Sequence, residues 1–311
     1  MQKTALILGA SGRFGRNAAL SFEEAGWEVR RFDRQSETLW DAAWGANVIV
    51  NAWNPAYTDW ESTLPGLTRQ VIEVAQASGA QVVIPGNVYV YGEDAPDHFT
   101  KSTPHKAENS LGRLRRDMEE AYRASGIKTL ILRAGDFIDT NASGNWFDKV
   151  ITAEIDKGVI RAPGDFHVKH AWAYLPDLTR AMVQLCERRD PTPQFEDILF
   201  DGYTLSLSEL NMALEDVFRR EFALKPFAWW QVQLARPFWP LAKHLLEMQY
   251  LWNKPHSLSG TDLRATLPSF RHTPVEQALR DIFEMKIYPD EPVTRSGFCS
   301  RVRMRPGYAR V

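Results

Sequence analysis

Cysteine is scarce in this chain: only Cys186 and Cys299 occur, far apart and without a CxxC neighbour. That spacing indicates neither a disulfide framework nor a thiolate metal site. The seven histidines form no HxxxH or HExxH group, so no metal centre is expected. A surplus of charge is also missing. Thirty-seven Lys and Arg stand against 39 Asp and Glu, a net charge of -2, which gives no electrostatic case for nucleic acid as the main partner. No apolar run approaches the roughly 20 residues that cross a bilayer. Met1 leads straight into a strand-like segment without a signal-like stretch. The expectation is a cytoplasmic protein with no stable membrane insertion. Internal repeats and low-complexity segments are absent too.

What is present starts at the N-terminus. An apolar run, Thr4 to Leu8, leads into Gly9-Ala10-Ser11-Gly12-Arg13-Phe14-Gly15, which opens an alanine-rich helical stretch. Strand, glycine loop and helix in this order hold a pyrophosphate. The first glycine permits a tight turn, the second lets the backbone approach the phosphates, and the third lets helix and strand pack closely. Free N–H groups and the helix dipole face the anion. A dinucleotide is the ligand this pattern predicts, with Ser11, Arg13 and Phe14 among its contacts.

A second strand, Trp27 to Phe32, ends in Asp33-Arg34, eighteen residues after Gly15. Asp33 can accept hydrogen bonds from an adenosine ribose and repels a 2′-phosphate, which puts NAD slightly ahead. Arg34 and Arg13 supply the positive charge that a 2′-phosphate needs, so NADP stays open.

With 311 residues, 44% of them hydrophobic, the chain can bury a full core. Strand-like runs at Asn47 to Asn51, Gln81 to Ile84 and Thr129 to Leu132 alternate with helical ones at Leu64 to Ser78 and Glu108 to Ser125. This predicts an α/β fold, a Rossmann-like doubly wound parallel sheet, with a smaller, mostly helical C-terminal lobe, which the family resemblance carried by the motifs that follow makes a substrate lobe. Residues 1–140 with about 168–200 read as the dinucleotide-binding part, 141–167 with 201–287 as the substrate lobe, and 288–311 as an extended tail. The strand ends gather Trp53-Asn54-Pro55, Gly86-Asn87-Val88-Tyr89 and Arg133-Ala134-Gly135-Asp136-Phe137 on one rim. Asp177, after Pro176, reads as a helix N-cap.

The glycine loop, Asn47-Val48-Ile49-Val50-Asn51-Ala52, Val90-Tyr91-Gly92, Leu132-Arg133-Ala134-Gly135 and Tyr174-Leu175-Pro176-Asp177-Leu178 together resemble the ordered landmarks of the extended short-chain dehydrogenase/reductase family, in its NAD-dependent epimerase/dehydratase branch. The resemblance covers about the first two-thirds of the chain. It implies a sheet that carries NAD(P), with Asn51, Ala52 and Trp53 beside the cofactor, and a C-terminal lobe closing over a substrate that is often a nucleotide sugar. The family's Tyr-x-x-x-Lys pair falls on Leu111 and Arg115, and its usual serine or threonine falls on Asn87. Leucine transfers no proton. Arginine can still bond a ribose but cannot be tuned as lysine can. A literal Tyr250-Leu251-Trp252-Asn253-Lys254 lies in the wrong context and reads as a chance match.

Any proton chemistry must then come from elsewhere. Strand alternation through Asn87, Tyr89 and Tyr91 would put all three on one face, making Tyr89 a candidate acid and Asn87 a carbonyl or hydroxyl contact. Packing alone also explains Tyr89. Asp136 is a candidate base or substrate-orienting carboxylate, with a turn role as the alternative. His170 and His167 flank Lys169 where the second lobe should meet the rim, and His170 is a candidate substrate contact with Asn54, Tyr89 and Trp146. Eleven tryptophans suggest a pocket or lobe interface with flat apolar walls, core filling being the plainer reading. Phe227 to Trp252, broken by Pro237 and Pro240, reads as two short helices over the cleft rather than an interfacial amphipathic helix. The arginine-rich 288–311 tail suits docking on a neighbouring subunit, which leaves a homodimer open.

Two functional classes follow. One is an oxidoreductase or epimerase acting on a small carbonyl or sugar-like substrate by a non-standard mechanism. The other is a dinucleotide-binding redox sensor or assembly subunit without turnover.

Overall fold

The computed structural model describes residues 2–188 and 193–287. Along the chain run β1 (Thr4–Leu8), α1 (Arg13–Glu24), β2 (Glu28–Arg31), α2 (Leu39–Ala43), β3 (Val48–Asn51), α3 (Trp60–Ser78) and β4 (Gln81–Gly86). Then come β5 (His98–Phe99), α4 (Ser110–Ala124), β6 (Thr129–Arg133), β7 (Asp136–Ile138), β8 (Val159–Ala162), β9 (His170–Tyr174), α5 (Leu175–Cys186) and β10 (Phe195–Leu199). The rest comprises β11 (Tyr203–Leu205), α6 (Leu207–Phe218), β12 (Ala223–Pro226), α7 (Trp229–Ala235), α8 (Pro240–Glu247), β13 (Ser257–Leu258), α9 (Thr261–Thr266) and α10 (Val275–Ile287).

Six strands form one parallel sheet in the order β10-β6-β4-β3-β1-β2. The chain winds outward from β1 to β2, then returns and winds the other way from β3, so the order reverses between β1 and β3. A ligand crevice opens at such a reversal, beyond the strands' carboxyl ends. Here those ends are Leu8 and Asn51.

Side-chain alternation explains why helices cover both faces. Leu6, Leu8, Ile49, Val82 and Ile84 turn toward α3 and α4. Ala5, Ile7, Val48, Val50 and Val83 turn toward α1 and α5. Strands buried on both sides are near-continuously apolar, as these are. Local chemistry sets the helix ends: Asn109 Oδ1 accepts from Gly112 N at 2.7 Å at the start of α4, a Ser206–Glu209 capping box opens α6, and α3 stops at Gly79 with φ 71°.

Asp177 is not the N-cap of α5; Tyr174 is. Asp177 lies in the buried first turn, where its carboxylate accepts from Thr273 N at 2.6 Å, Thr273 Oγ1 at 2.9 Å and Arg180 at 2.6 Å. It pins the segment before α10 onto α5. A third apolar cluster, with Phe147, Ile151, Ile160, Leu210 and Leu279, lies beyond the sheet and is built from the α6, α10, β8 and β9 segments. No described helix is long and apolar enough to cross a membrane. The 288–311 tail and Cys299 lie outside the described residues.

Candidate cofactor and reaction site

Gly9 adopts φ +76°, and Gly12 N donates to Gly9 O at 2.9 Å, closing the tight turn. A Cβ on Gly9 would stand 3.0 Å from Ala52 O, and one on Gly15 only 2.2 Å from Gly9 O. The first glycine therefore lets the loop approach β3, and the third lets α1 approach the loop. Gly12 is the N-cap of α1 and brings no side chain to bond the first-turn amides. Those N–H groups stand open to an anion.

Beyond them extends a cleft of about 1420 Å³. Single drug-sized ligands occupy roughly 300–1,000 Å³, so the cleft has room for a dinucleotide and a second small molecule. Its near wall carries Gly9, Ser11, Gly12, Arg13 and Phe14. Gly15 stays behind, as a packing residue. Arg34 lines the mouth, whereas exposed Asp33 is outside the lining and accepts from Gln35 N at 3.0 Å.

The floor follows the end of β3. Asn51 Nδ2 donates to Tyr122 Oη at 3.0 Å, Asn51 Oδ1 accepts from Trp53 N at 3.3 Å, and Trp53 meets Phe32 edge-on at 5.7 Å. Ala52 completes this turn on the wall. Arg115, in the position that resembles the family's lysine, is buried and lines the same cleft. Its guanidinium lies over Trp60 at 4.6 Å and donates to Asn54 Oδ1 at 3.2 Å, while its Nε has no partner. Burial lowers its pKa, so the cation is held at a cost and retains hydrogen-bonding capacity. Leu111 is fully buried and takes no part.

The expected alternation of Asn87, Tyr89 and Tyr91 on one strand face does not occur. β4 ends at Gly86, where a Cβ would stand 2.6 Å from Ile131 Cγ2, and Asn87 Oδ1 then accepts from Tyr89 N to start a turn. The turn delivers Asn87 and Tyr89 to the cleft, and sends Tyr91 into the core, stacked on Phe99 at 4.1 Å. Arg133, fully buried, fastens the turn. It donates to Asn87 O at 2.6 Å and pairs with Glu119 at 2.7 Å and Asp197 at 2.5 Å. His105, Glu119 and Asp197 bring ligand-type atoms within 4.8 Å of one another, but both carboxylates already accept from Arg133.

Sequence reasoning missed Tyr57. Its hydroxyl lies 2.8 Å from that of Tyr89, and both rings line the cleft. Burial raises both phenol pKa values, Tyr89's well above the usual range; Tyr57 and Asp136 push Tyr89 further up, while for Tyr57 the bond to Tyr89 works against the rise and Asp136 adds to it. The pair can donate and relay a hydrogen bond but resists becoming an anion. Asp136 is on the wall nearby and its Oδ2 accepts from His170 Nε2 at 2.6 Å. His170 itself is 2% exposed and is not part of the cleft wall, contrary to the expected substrate contact. β9 is buried on both faces, so the imidazole backs Asp136 and stacks on Trp252 at 4.4 Å.

The far wall belongs to the segment after β7. Arg13 Nη1 donates to Asn145 Oδ1 at 2.9 Å, and Asp139 accepts from Arg16 at 2.7 Å and from Asn17 at 3.1 Å. Trp146 and Lys149 face the cleft. Trp229 and Trp252 pack behind Trp146, at 5.7 and 5.3 Å. Trp230 and Trp239 are exposed instead of lining a pocket. The two short helices expected between Phe227 and Trp252 are present, but none of their residues lines the cleft. Tyr250 and Lys254 are also remote from it, Lys254 bonding to Ala95 O.

No family model matches this sequence, and no curated protein matches it. Solved structures do match in shape. MoeE5, determined with UDP-glucose and NAD, superposes with a TM-score of 0.70 at 13% identity, over 91% of this chain and 98% of that one. A nucleoside-diphosphate-sugar epimerase from Pseudomonas aeruginosa gives 0.69 at 16% identity, covering 92% and 99%. An L-threonine dehydrogenase from Clostridium difficile gives 0.70 at 12% identity, again over 92% and 99%. The chain thus shares the Rossmann-like fold of these proteins.

Proposed function

We propose that the protein is an NAD(P)-dependent oxidoreductase or epimerase-like enzyme that acts on a carbonyl or sugar-like substrate without a Tyr-x-x-x-Lys pair. One observation carries the reading: a single cleft joins the open amides of the glycine loop to a cluster of proton-carrying groups, Tyr57, Tyr89 and Asp136. A sensor needs only the first half. The structures similar in fold include proteins determined with NAD and with sugar nucleotides, which supports the cofactor and substrate class.

In this reading residues 1–140 with about 168–200 bind the dinucleotide, and 141–167 with 201–287 form the substrate lobe. The bound cofactor would exchange hydride with the substrate carbon. Gly9, Ser11, Gly12, Arg13 and Phe14 hold its phosphates, Asn51, Ala52 and Trp53 flank it, and Arg115 bonds the ribose in place of lysine. Tyr89, backed by Tyr57, donates to the substrate oxygen, Asn87 orients it, and Asp136 receives the proton. Asn54 and Trp146 contact the substrate's remainder. Arg34 on the wall, with Asp33 turned onto Gln35, supports NADP(H) as the tighter form.

Calorimetric titration with NAD, NADH, NADP and NADPH, followed by a carbonyl and nucleotide-sugar screen at the nicotinamide absorbance, tests this. Binding of one form with turnover lost in Tyr89→Phe supports it. Binding without any turnover would favour the sensor reading, to which buried Leu111 also points.

A further inference from the structure

The α7–α8 hairpin carries large apolar side chains that no described part of the chain covers. Trp230 is 64% exposed, Leu234 69%, Phe238 91% and Trp239 41%. Trp230 and Leu234 are four residues apart on α7 and share a side of that helix. Phe238 stands in the connection and Trp239 is the N-cap of α8. The opposite side of the hairpin is anchored. Val232 and Ala242 are buried, and the Glu247 carboxylate accepts from Ser110 Oγ at 2.6 Å and from Leu111 N at 3.3 Å. One side is thus packed and capped onto α4, while the other projects aromatic rings into solvent. A lone exposed apolar residue needs no explanation, but neighbouring ones on a protruding turn mark a contact surface.

The charges select the contact. From Trp229 to Glu247 the cations are Arg236 and Lys243, both exposed and without a carboxylate partner among the described residues, together with His244, which faces Glu247. The sole acid, Glu247, is turned inward. Tryptophan and phenylalanine at a turn, leucine beside them and free cations at the edges match the interfacial layer of an anionic bilayer. There the rings sit at headgroup depth and the cations reach lipid phosphates. A second copy fits less well. An isologous contact sets the same patch against itself, and so brings Arg236 and Lys243 together with no outward acid to meet them.

We propose that the α7–α8 hairpin docks the protein peripherally on an anionic phospholipid surface. The contact is interfacial and crosses no bilayer, and it uses none of the cleft residues.

Flotation of the full-length protein with phosphatidylcholine vesicles, with and without phosphatidylserine, tests it. The protein should float with the phosphatidylserine vesicles, less so as salt screens the cations, and its tryptophan emission should shift to the blue. Leu234→Ser/Phe238→Ser should abolish flotation with thermal stability and cofactor titration unchanged, since both positions are exposed. Arg236→Gln/Lys243→Gln should weaken it about 30-fold, from about fivefold per cation. Absence of flotation with either vesicle, or flotation indifferent to the Leu234/Phe238 variant, would overturn the proposal. So would a concentration-dependent dimer in sedimentation that the same variant dissociates, which would assign the face to a second copy.

Discussion

Asp136 Oδ2 and His170 Nε2 are 2.6 Å apart, the carboxylate on the cleft wall and the imidazole sealed behind it. The imidazole fixes the direction of the carboxylate while its own Nδ1 has no partner. In the proposed reaction Asp136 is the proton acceptor. Asp136→Asn should therefore lower kcat by roughly 10²–10⁴-fold while cofactor affinity, read by calorimetry, stays within a few-fold. A parallel collapse of cofactor binding would show that Asp136 holds the site together instead.

Arg115→Met retains a long side chain over Trp60 and removes the guanidinium. The loss of one charged hydrogen bond to the ribose, about 1.5–3 kcal/mol, should weaken NAD(P) by roughly 10- to 100-fold. Unchanged affinity in the titration would remove Arg115 from the cofactor site.

Gly15→Ala places a methyl group 2.2 Å from Gly9 O, against backbone rather than a movable side chain. The loop or α1 must shift. Destabilisation of about 1–3 kcal/mol is expected, seen as a lower urea midpoint, with cofactor binding weakened because the clash falls on the Gly9 turn.

Two imidazoles set an acid limit on stability. Burial, aided by the Arg133 charge, pushes His105 down to about 4, and burial pushes His256 down to about 3. Both folded-state values lie below the unfolded value near 6.5, so the unfolded chain binds more protons through this interval. Stability from each group is complete above pH 6.5 and is lost as pH falls toward 4 for His105 and toward 3 for His256. The slope is about 1.4 kcal/mol per pH unit for each imidazole. Urea midpoints measured from pH 7 to pH 4 should fall accordingly, and His256→Asn should flatten the dependence by about half.

The glycine loop and the sheet were legible because their signals are local: a strand, three glycines and a helix adjoin in sequence, and β1, β3, β4 and β6 are apolar on both faces. The reaction end was legible only in part. Asn87 and Tyr89 reach the cleft, but through a turn that Asn87 Oδ1 closes on Tyr89 N and that Arg133 fastens from β6, a contact between strands that alternation along one strand does not encode. Tyr57 joins Tyr89 from 32 positions away, and its only advance signal was its place just beyond the rim segment Trp53-Asn54-Pro55. His170 carried the chemistry expected of a rim residue but sits on a strand buried from both sides, one layer behind the wall. The hairpin after β12 was foreseen as two helices broken by Pro237 and Pro240, yet which side each would bury depended on Glu247 finding the start of α4.

Arg13 belongs to the glycine-loop helix, yet its guanidinium ends on Asn145, 132 residues later, with Arg16 and Asn17 held to Asp139 on the same side. Three side chains of one helix thus tie the glycine loop to the segment after β7. In the proposed reading the helix that opens the phosphate end of the cleft would also brace its substrate end.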